Sequence, residues 1–369
     1  MRTVISNYIF GTQYEFGKPF TMVIDTRNLL TGSSNANQFN IPFRSSEVKA
    51  LVDWGDGTFI RINAWNSPDS LHTYSNQGIY TIKIYTQKKD ISNIYRISLM
   101  FYQNTERLKL LEVIQFGTLS LDANTFRGCT NLTMLNVIDL PSITNLAGTF
   151  SGCTSMTAIN RISEWNVSSV TDFNTCFSGC TSFNQSLNSW NMTSATNISQ
   201  MFSGCTVFNQ PLNNWNVSNV TTIQSIFQNA LAFNQSLNNW NVSNVTNMTG
   251  MFANAVAFNQ PINNWSVGNV TNMNAMFQGA TAFNQDISSW NFNINTTLTN
   301  FMSGKTFSNY NTSYYSNLLI KWSSRFVGTG RTQSSKTFNM GSIRYNSTAN
   351  TQRTNLVNDG WTINDGGLI

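Results

Sequence analysis

Charge is scarce in this sequence: Asp, Glu, Lys and Arg make up 10% of its 369 residues, against about 25% in an ordinary soluble domain. Histidine occurs once, at His72, which excludes a His-pair zinc site and leaves a Ser-His-Asp triad a single candidate base. Glycine at 22 and proline at 6 exclude collagen-like and linker-like chains. No stretch approaches about 18 consecutive apolar residues, so no transmembrane helix and no membrane insertion are expected. Met1 to Phe10 contains no apolar core and no small-residue cleavage site, and so reads as no Sec signal peptide. No glycine-rich phosphate loop appears, and no cofactor is expected.

What is present is apolar and aromatic. Hydrophobic residues make up 40% and aromatics 13%, too much for a disordered chain. The length allows two or three domains. The charge is uneven. Between residues 129 and 300 the only charged side chains are Asp139, Arg161, Glu164, Asp172 and Asp286. The net charge of +5 comes largely from the C-terminal end, where Lys321, Arg325, Arg331 and Lys336 form a weak basic patch. No recognition motif is interleaved with them, so nucleic acid is not expected as a partner.

A tandem repeat fills the uncharged middle. Trp165, Trp190, Trp215, Trp240, Trp265 and Trp290 lie 25 residues apart. Phe177, Phe202, Phe227, Phe252 and Phe277 keep the same interval, as do Phe183, Phe208, Phe233, Phe258 and Phe283. Weaker copies extend upstream, where Phe126 and Phe150 each precede a Gly-Cys pair. About seven coils fit between residues 105 and 303, and the period lies in the leucine-rich-repeat range. Each coil has alternating apolar residues suited to short extended segments, with no room for a helix beyond about one turn. Stacked coils share a continuous core. Asn184, Asn209, Asn234 and Asn259 are then expected to form an amide ladder, each donating to one neighbour and accepting from the other. The Trp column is either a stacking platform for sugars or core, and its place beside Ile262 and Val267 favours core.

In front of the repeats, Phe20–Ile24, Phe39–Phe43, Val48–Asp53 and Leu71–Tyr85, the last alternating strongly after Gly78, read as short strands of a small β-sandwich. Trp54-Gly55-Asp56-Gly57, with His72-x-Tyr74 and Gly78-x-Tyr80, resembles a PKD domain, an immunoglobulin-like sandwich. The repeats, with Phe-Asn-Gln-x-Leu-x-x-Trp-Asn-Val-Ser-x-Val-Thr, resemble BspA-like leucine-rich-repeat surface proteins. Asp359 to Gly367 is similar to the terminal segment of that group. The resemblance covers about residues 15–367 and implies binding or adhesion outside a cell, with no common catalytic activity. Members of the group are normally exported with a leader, and similar repeats are also encoded in bacteriophage genomes.

Other motifs are sparse. His72 lies in the His-x-Tyr pattern, where it reads as structural. Cys129, Cys153, Cys180 and Cys205 share one repeat position that becomes Ala230, Ala255 and Ala280 later, which points to small buried thiols. Cys176 is the extra one, and a disulfide or reactive thiol there stays open. The acids of the array occupy non-equivalent positions, unlike a glycosidase pair. Asp53 and Asp56 read as turn residues, with calcium as the alternative. Asn216, Asn219, Asn241, Asn244 and Asn247 fit the glycosylation sequon as a by-product of the repeat. In the tail, residues 304–369 leave the 25-residue register. Residues 310–322 and 351–357 read as short helices, Trp361–Ile363 as a strand, and the whole as a cap over the last coil.

The expected fold is therefore mainly β: a PKD-like, immunoglobulin-type β-sandwich over 1–95, a leucine-rich-repeat-type solenoid over 96–303 and a small cap over 304–369. The expected function is non-enzymatic recognition at a virion surface, as a bacteriophage capsid decoration, head-fibre or tail-associated component, with a bacterial cell-surface adhesin as the alternative. Other virion proteins, a cell-surface protein or glycan, or a second copy of the chain are the partners this implies.

Overall fold

The computed structural model describes residues 16–44, 47–87, 97–102, 104–330 and 337–369. Arg331 and Lys336 of the basic patch, and the leader reading of Met1 to Phe10, lie outside them. The chain is mainly β with few helices, and the described residues form no closed barrel. It divides into two compact units, residues 1–165 and 166–369.

In the first unit the strands are β1 (Phe20–Asp25), β2 (Gln38–Asn40), β3 (Ala50–Asp53), β4 (Phe59–Ile62), β5 (Leu71–Thr73), β6 (Ile79–Thr86), β7 (Leu110–Gln115), β8 (Ser120–Leu121), β9 (Met134–Leu135), β10 (Ser142–Ile143) and β11 (Ala158–Ile159). Among the described residues seven of these form one sheet, in the order β11-β9-β7-β1-β6-β3-β4. Alternation in β6 sends Ile82 and Ile84 inward, where they face Met22 and Phe20 of antiparallel β1. Gly55, just past β3, has φ +82°, and a Cβ there would stand 2.5 Å from the Thr81 carbonyl oxygen, so glycine is required. β2 and β5 form a separate antiparallel pair.

β1 also pairs antiparallel with β7, which in turn pairs in parallel with β9, and β9 with β11. The N-terminal sheet thus runs without a break into the first short parallel rungs. This nonlocal pairing is why the compact unit extends to residue 165, beyond the boundary expected near residue 95.

In the second unit each 25-residue repeat is a run of tight turns. Parallel bridges link Asp172, Asn197, Thr222, Asn247, Asn272 and Thr297 in series. Phe202, Phe227, Phe252 and Phe277 are fully buried. Successive rings of this column lie nearly parallel, with centroids 6.0, 5.8 and 5.7 Å apart. Each repeat turns through two left-handed residues. One set is Thr175, Gln200, Ser225, Gly250, Ala275 and Asn300, the other Gly179, Gly204, Asn229, Asn254, Gly279 and Gly304.

The tail contains α1 (Thr312–Phe326), β12 (Thr337–Asn339), α2 (Asn350–Asn358) and β13 (Thr362–Asn364). Asn311 caps α1 by accepting from the amides of Ser313 and Tyr314. Leu318, Leu319, Trp322 and Phe326 form its buried face. Trp322, Phe338 and Trp361 stack in turn, with centroids 4.2 and 4.4 Å apart. The expected loss of register is corrected here. β12 and β13 are parallel, with Thr337 opposite Thr362 and Asn339 opposite Asn364, one 25-residue step apart. A longer insert carrying α1 hides this resumption in the sequence.

Candidate functional site

Trp54, Asp56, His72, Tyr74 and Tyr80 come together in the first unit. Trp54 and Tyr74 are buried. The His72 ring stacks on Trp54 at 4.7 Å and meets the edge of Tyr74 at 4.5 Å, and Tyr74 stacks on Tyr80 at 3.7 Å. The Tyr74 hydroxyl donates to the Trp54 carbonyl, and the Tyr80 hydroxyl to the Asn76 carbonyl. Burial pushes the Tyr74 hydroxyl far above its ordinary pKa.

Asp56 organises the turn beneath this stack. Its Oδ1 accepts from the Thr58 amide at 3.0 Å and from the Thr58 hydroxyl at 2.6 Å, and its Oδ2 lies 2.7 Å from His72 Nε2. Burial acts to raise its pKa, but the Thr58 and His72 bonds outweigh that and hold the carboxyl below its ordinary value. Asp53 Oδ1 accepts from the Gly55 amide. Both carboxylates are thus engaged in shaping the turn.

In the repeats the Trp column lies inside. Trp165 of the first unit and Trp190, Trp215, Trp240, Trp265 and Trp290 of the second are 4% exposed or less. The indole Nε1 groups of Trp215, Trp240, Trp265 and Trp290 donate to the carbonyls of Leu212's predecessor Leu187, then Leu212, Leu237 and Ile262, at 2.8, 3.0, 3.0 and 2.9 Å. The column is therefore a buried, hydrogen-bonded spine and presents no ring face to a sugar.

The asparagine ladder takes a different form from the one expected. The Oδ1 atoms of Asn184, Asn209, Asn234 and Asn259 accept from the backbone amides of Asn209, Asn234, Asn259 and Asn284 at 2.8–2.9 Å. Gln210, Gln235, Gln260 and Gln285 donate to the same oxygens. A turn amide lacking a backbone acceptor must find another, and the neighbouring repeat's side chain supplies it. The sequon residues do similar work. Asn216 and Asn241 accept from the amides of Ser218 and Ser243, while Asn219 and Asn244 donate to the carbonyls of Thr193 and Ser218.

The acids of the array are held locally. Asp139 accepts from the amides of Phe116 and Gly117, Glu164 pairs with Arg161, Asp172 accepts from Asn174, and Asp286 from Ser288 and Asn317. All five cysteines are buried thiols. Burial pushes Cys153 up to about 12, and Cys129 and Cys205 also rise well above the ordinary range. They are poor nucleophiles in this state.

Two residues escaped the sequence reading. Lys305 occupies the repeat position of Cys180, Cys205, Ala230, Ala255 and Ala280 and is 1% exposed. Its ammonium donates to the carbonyls of Ala280, Thr281 and Phe283, and burial lowers its pKa to about 8. A charged residue in a column of small ones was the available signal. The other is Trp65, which is 51% exposed. Its neighbours Asn66, Ser67 and Pro68 are turn formers, an unusual setting for a core tryptophan.

No curated protein and no solved structure matches the chain significantly. The family model described as "Mycoplasma protein of unknown function, DUF285" matches residues 121–233 and 210–315. Those segments overlap and together take in more than half of the 369 residues, including the Trp and Phe columns. By this match across its repeats, the chain belongs to the DUF285 family.

Proposed function

We propose that this is a non-enzymatic recognition protein, built from a PKD-like β-sandwich and a leucine-rich-repeat-type solenoid of BspA-like units, that acts at an exposed surface. The observation that carries this reading is the outward face of the repeats. Thr196, Thr221, Thr246 and Thr271 are exposed, and each hydroxyl donates to the carbonyl of the threonine one repeat earlier at 3.2–3.3 Å. Asn219, Asn244 and Asn269 run beside them, tied to the preceding repeat in the same manner. The face is neutral, fixed and repeated. Fixed side chains lose little entropy on binding, and repeated contacts add avidity. A protein or glycan of matching extent suits such a face.

The non-enzymatic part of the reading is supported by what the polar groups already do. His72 is stacked and bonded to Asp56, the array's acids hold backbone amides or, for Glu164, pair with Arg161, and the thiols are buried. Display on a virion and display on a cell both present the same face outward. Mass spectrometry of purified virions and of peptides shaved from intact cells tests the reading. The chain is expected in one of these fractions, and absence from both removes the proposal. Replacing Thr221 and Thr246 with Glu is expected to weaken binding to the surface concerned.

A further inference from the structure

Nine of the ten tryptophans are buried, none of them more than 4% exposed, and Trp65 alone stands half in solvent at 51%. An indole costs more to leave in water than almost any other side chain, so a single exposed one in a chain that buries all the rest calls for an explanation. Trp65 sits at the tip of a tight turn closed by the Ser67 amide donating to the Ala64 carbonyl at 3.2 Å. Ser67 then caps the short 3-10 helix Pro68–Ser70. Two consecutive turns thus fix the backbone around Trp65 and leave its side chain half exposed.

The ring borders a groove of about 430 Å³ whose wall also carries Asn40, Asn66, Leu71 and Asn104. A second groove, also lined by Asn104, continues to Tyr102. Among the described residues, no charged side chain lines either one. Asn104 Oδ1 accepts from the Glu106 amide at 2.8 Å, which leaves its NH2 group to donate at the border of both grooves. Asn40 is engaged by Ser70, whose single hydroxyl proton lies between the Ser67 carbonyl and the Asn40 amide, each 2.8 Å away. An exposed indole face suits the C–H face of a pyranose ring, and a fixed amide donor suits its hydroxyl oxygens. The absence of charge disfavours anionic ligands.

We infer that the Trp65 groove of the first unit is a binding site for a neutral oligosaccharide, with Trp65 as the stacking platform and Asn104 as a hydroxyl-reading donor. It is separate from the repeat face and does not depend on it. The test uses the full chain on an array of neutral and anionic oligosaccharides, followed by titration of the bound neutral glycan with tryptophan emission as the readout. Binding to neutral glycans is expected, with a shift in emission. Trp65→Ala should weaken it about tenfold or more, Trp65→Phe should retain part of it, and the melting temperature of both should match the parent. Binding confined to anionic glycans, or unchanged by Trp65→Ala, overturns the proposal. Silence across the array overturns it as well, and leaves the repeat face standing as a protein-binding surface. Binding that survives Trp65→Ala but is lost on replacing Thr221 and Thr246 with Glu assigns the glycan to the repeat face instead.

Discussion

The indole nitrogen of Trp240 donates to the carbonyl oxygen of Leu212 in the preceding repeat at 3.0 Å. Trp240 therefore fills core volume and satisfies a buried acceptor at once. Trp240→Ala is expected to cost about 3–5 kcal/mol through the cavity it leaves. Trp240→Phe keeps much of the volume and removes one of two bonds to the Leu212 carbonyl, which still accepts from the Trp215 amide, at about 0.5–1.5 kcal/mol. Denaturant unfolding of both variants checks this, and an unchanged midpoint in either would count against the spine.

Backbone strain gives a second prediction. Ala275 has φ +56°, while its equivalent one repeat earlier is Gly250 at φ +59°. A left-handed alanine costs about 1–2 kcal/mol, partly offset by the extra freedom glycine has when unfolded. Ala275→Gly should stabilise by roughly 1 kcal/mol net. Gly250→Ala should destabilise, because its new Cβ would also stand 3.1 Å from the Ser225 hydroxyl. Thermal unfolding should move in opposite directions for the pair.

Lys305 sets a pH dependence. Its folded pKa is about 8, while the unfolded value is about 10.4. Between those limits the unfolded chain binds more protons, so stability rises with pH there. Below pH 8 the buried charge weakens the fold by a constant amount, of order 3 kcal/mol. Lys305→Met removes this dependence. The difference in melting temperature between parent and variant should be largest near pH 7 and shrink towards pH 10.

Asp56 acts at the other end of the scale. Its folded pKa lies below its ordinary value, so its contribution is present above about pH 4 and is lost as pH falls through the folded pKa. Asp56→Ala should destabilise the first unit at neutral pH by about 1–3 kcal/mol, since it frees the Thr58 amide and His72 together. Parent and variant should converge in stability as the solution is acidified, and parallel curves would remove this role.

The repeat was open to reading because its cause is local and periodic. Tryptophan and phenylalanine recur wherever each unit must fill the same interior space, so their spacing survives in one dimension. The tail obeyed the same rule less openly. Thr337-Phe-Asn-Met-Gly-Ser-Ile343 and Thr362-Ile-Asn-Asp-Gly-Gly-Leu368 are one period apart and pair in parallel, but the segment before them carries α1 and breaks the count. The left-handed turns were harder to see. Thr175, Gln200, Ser225, Gly250, Ala275 and Asn300 share a conformation and no chemistry, so residue type carries no trace of it. The β1–β7 pairing joins segments far apart in sequence and depends on neither periodicity nor a motif. Trp65 was passed over because a lone tryptophan outside a repeat gives no pattern, and only its exposure distinguishes it.

The bonds between repeats in the second unit reach to the adjacent repeat on either side, as from Trp240 to Leu212 or from Asn259 to Asn234. Excision of 25 residues from the middle of the array, such as 226–250, would therefore rejoin equivalent partners, whereas excision of a length that is not a multiple of 25 would set every later donor against the wrong acceptor. The fold thus tolerates changes in array length by whole repeats and no others.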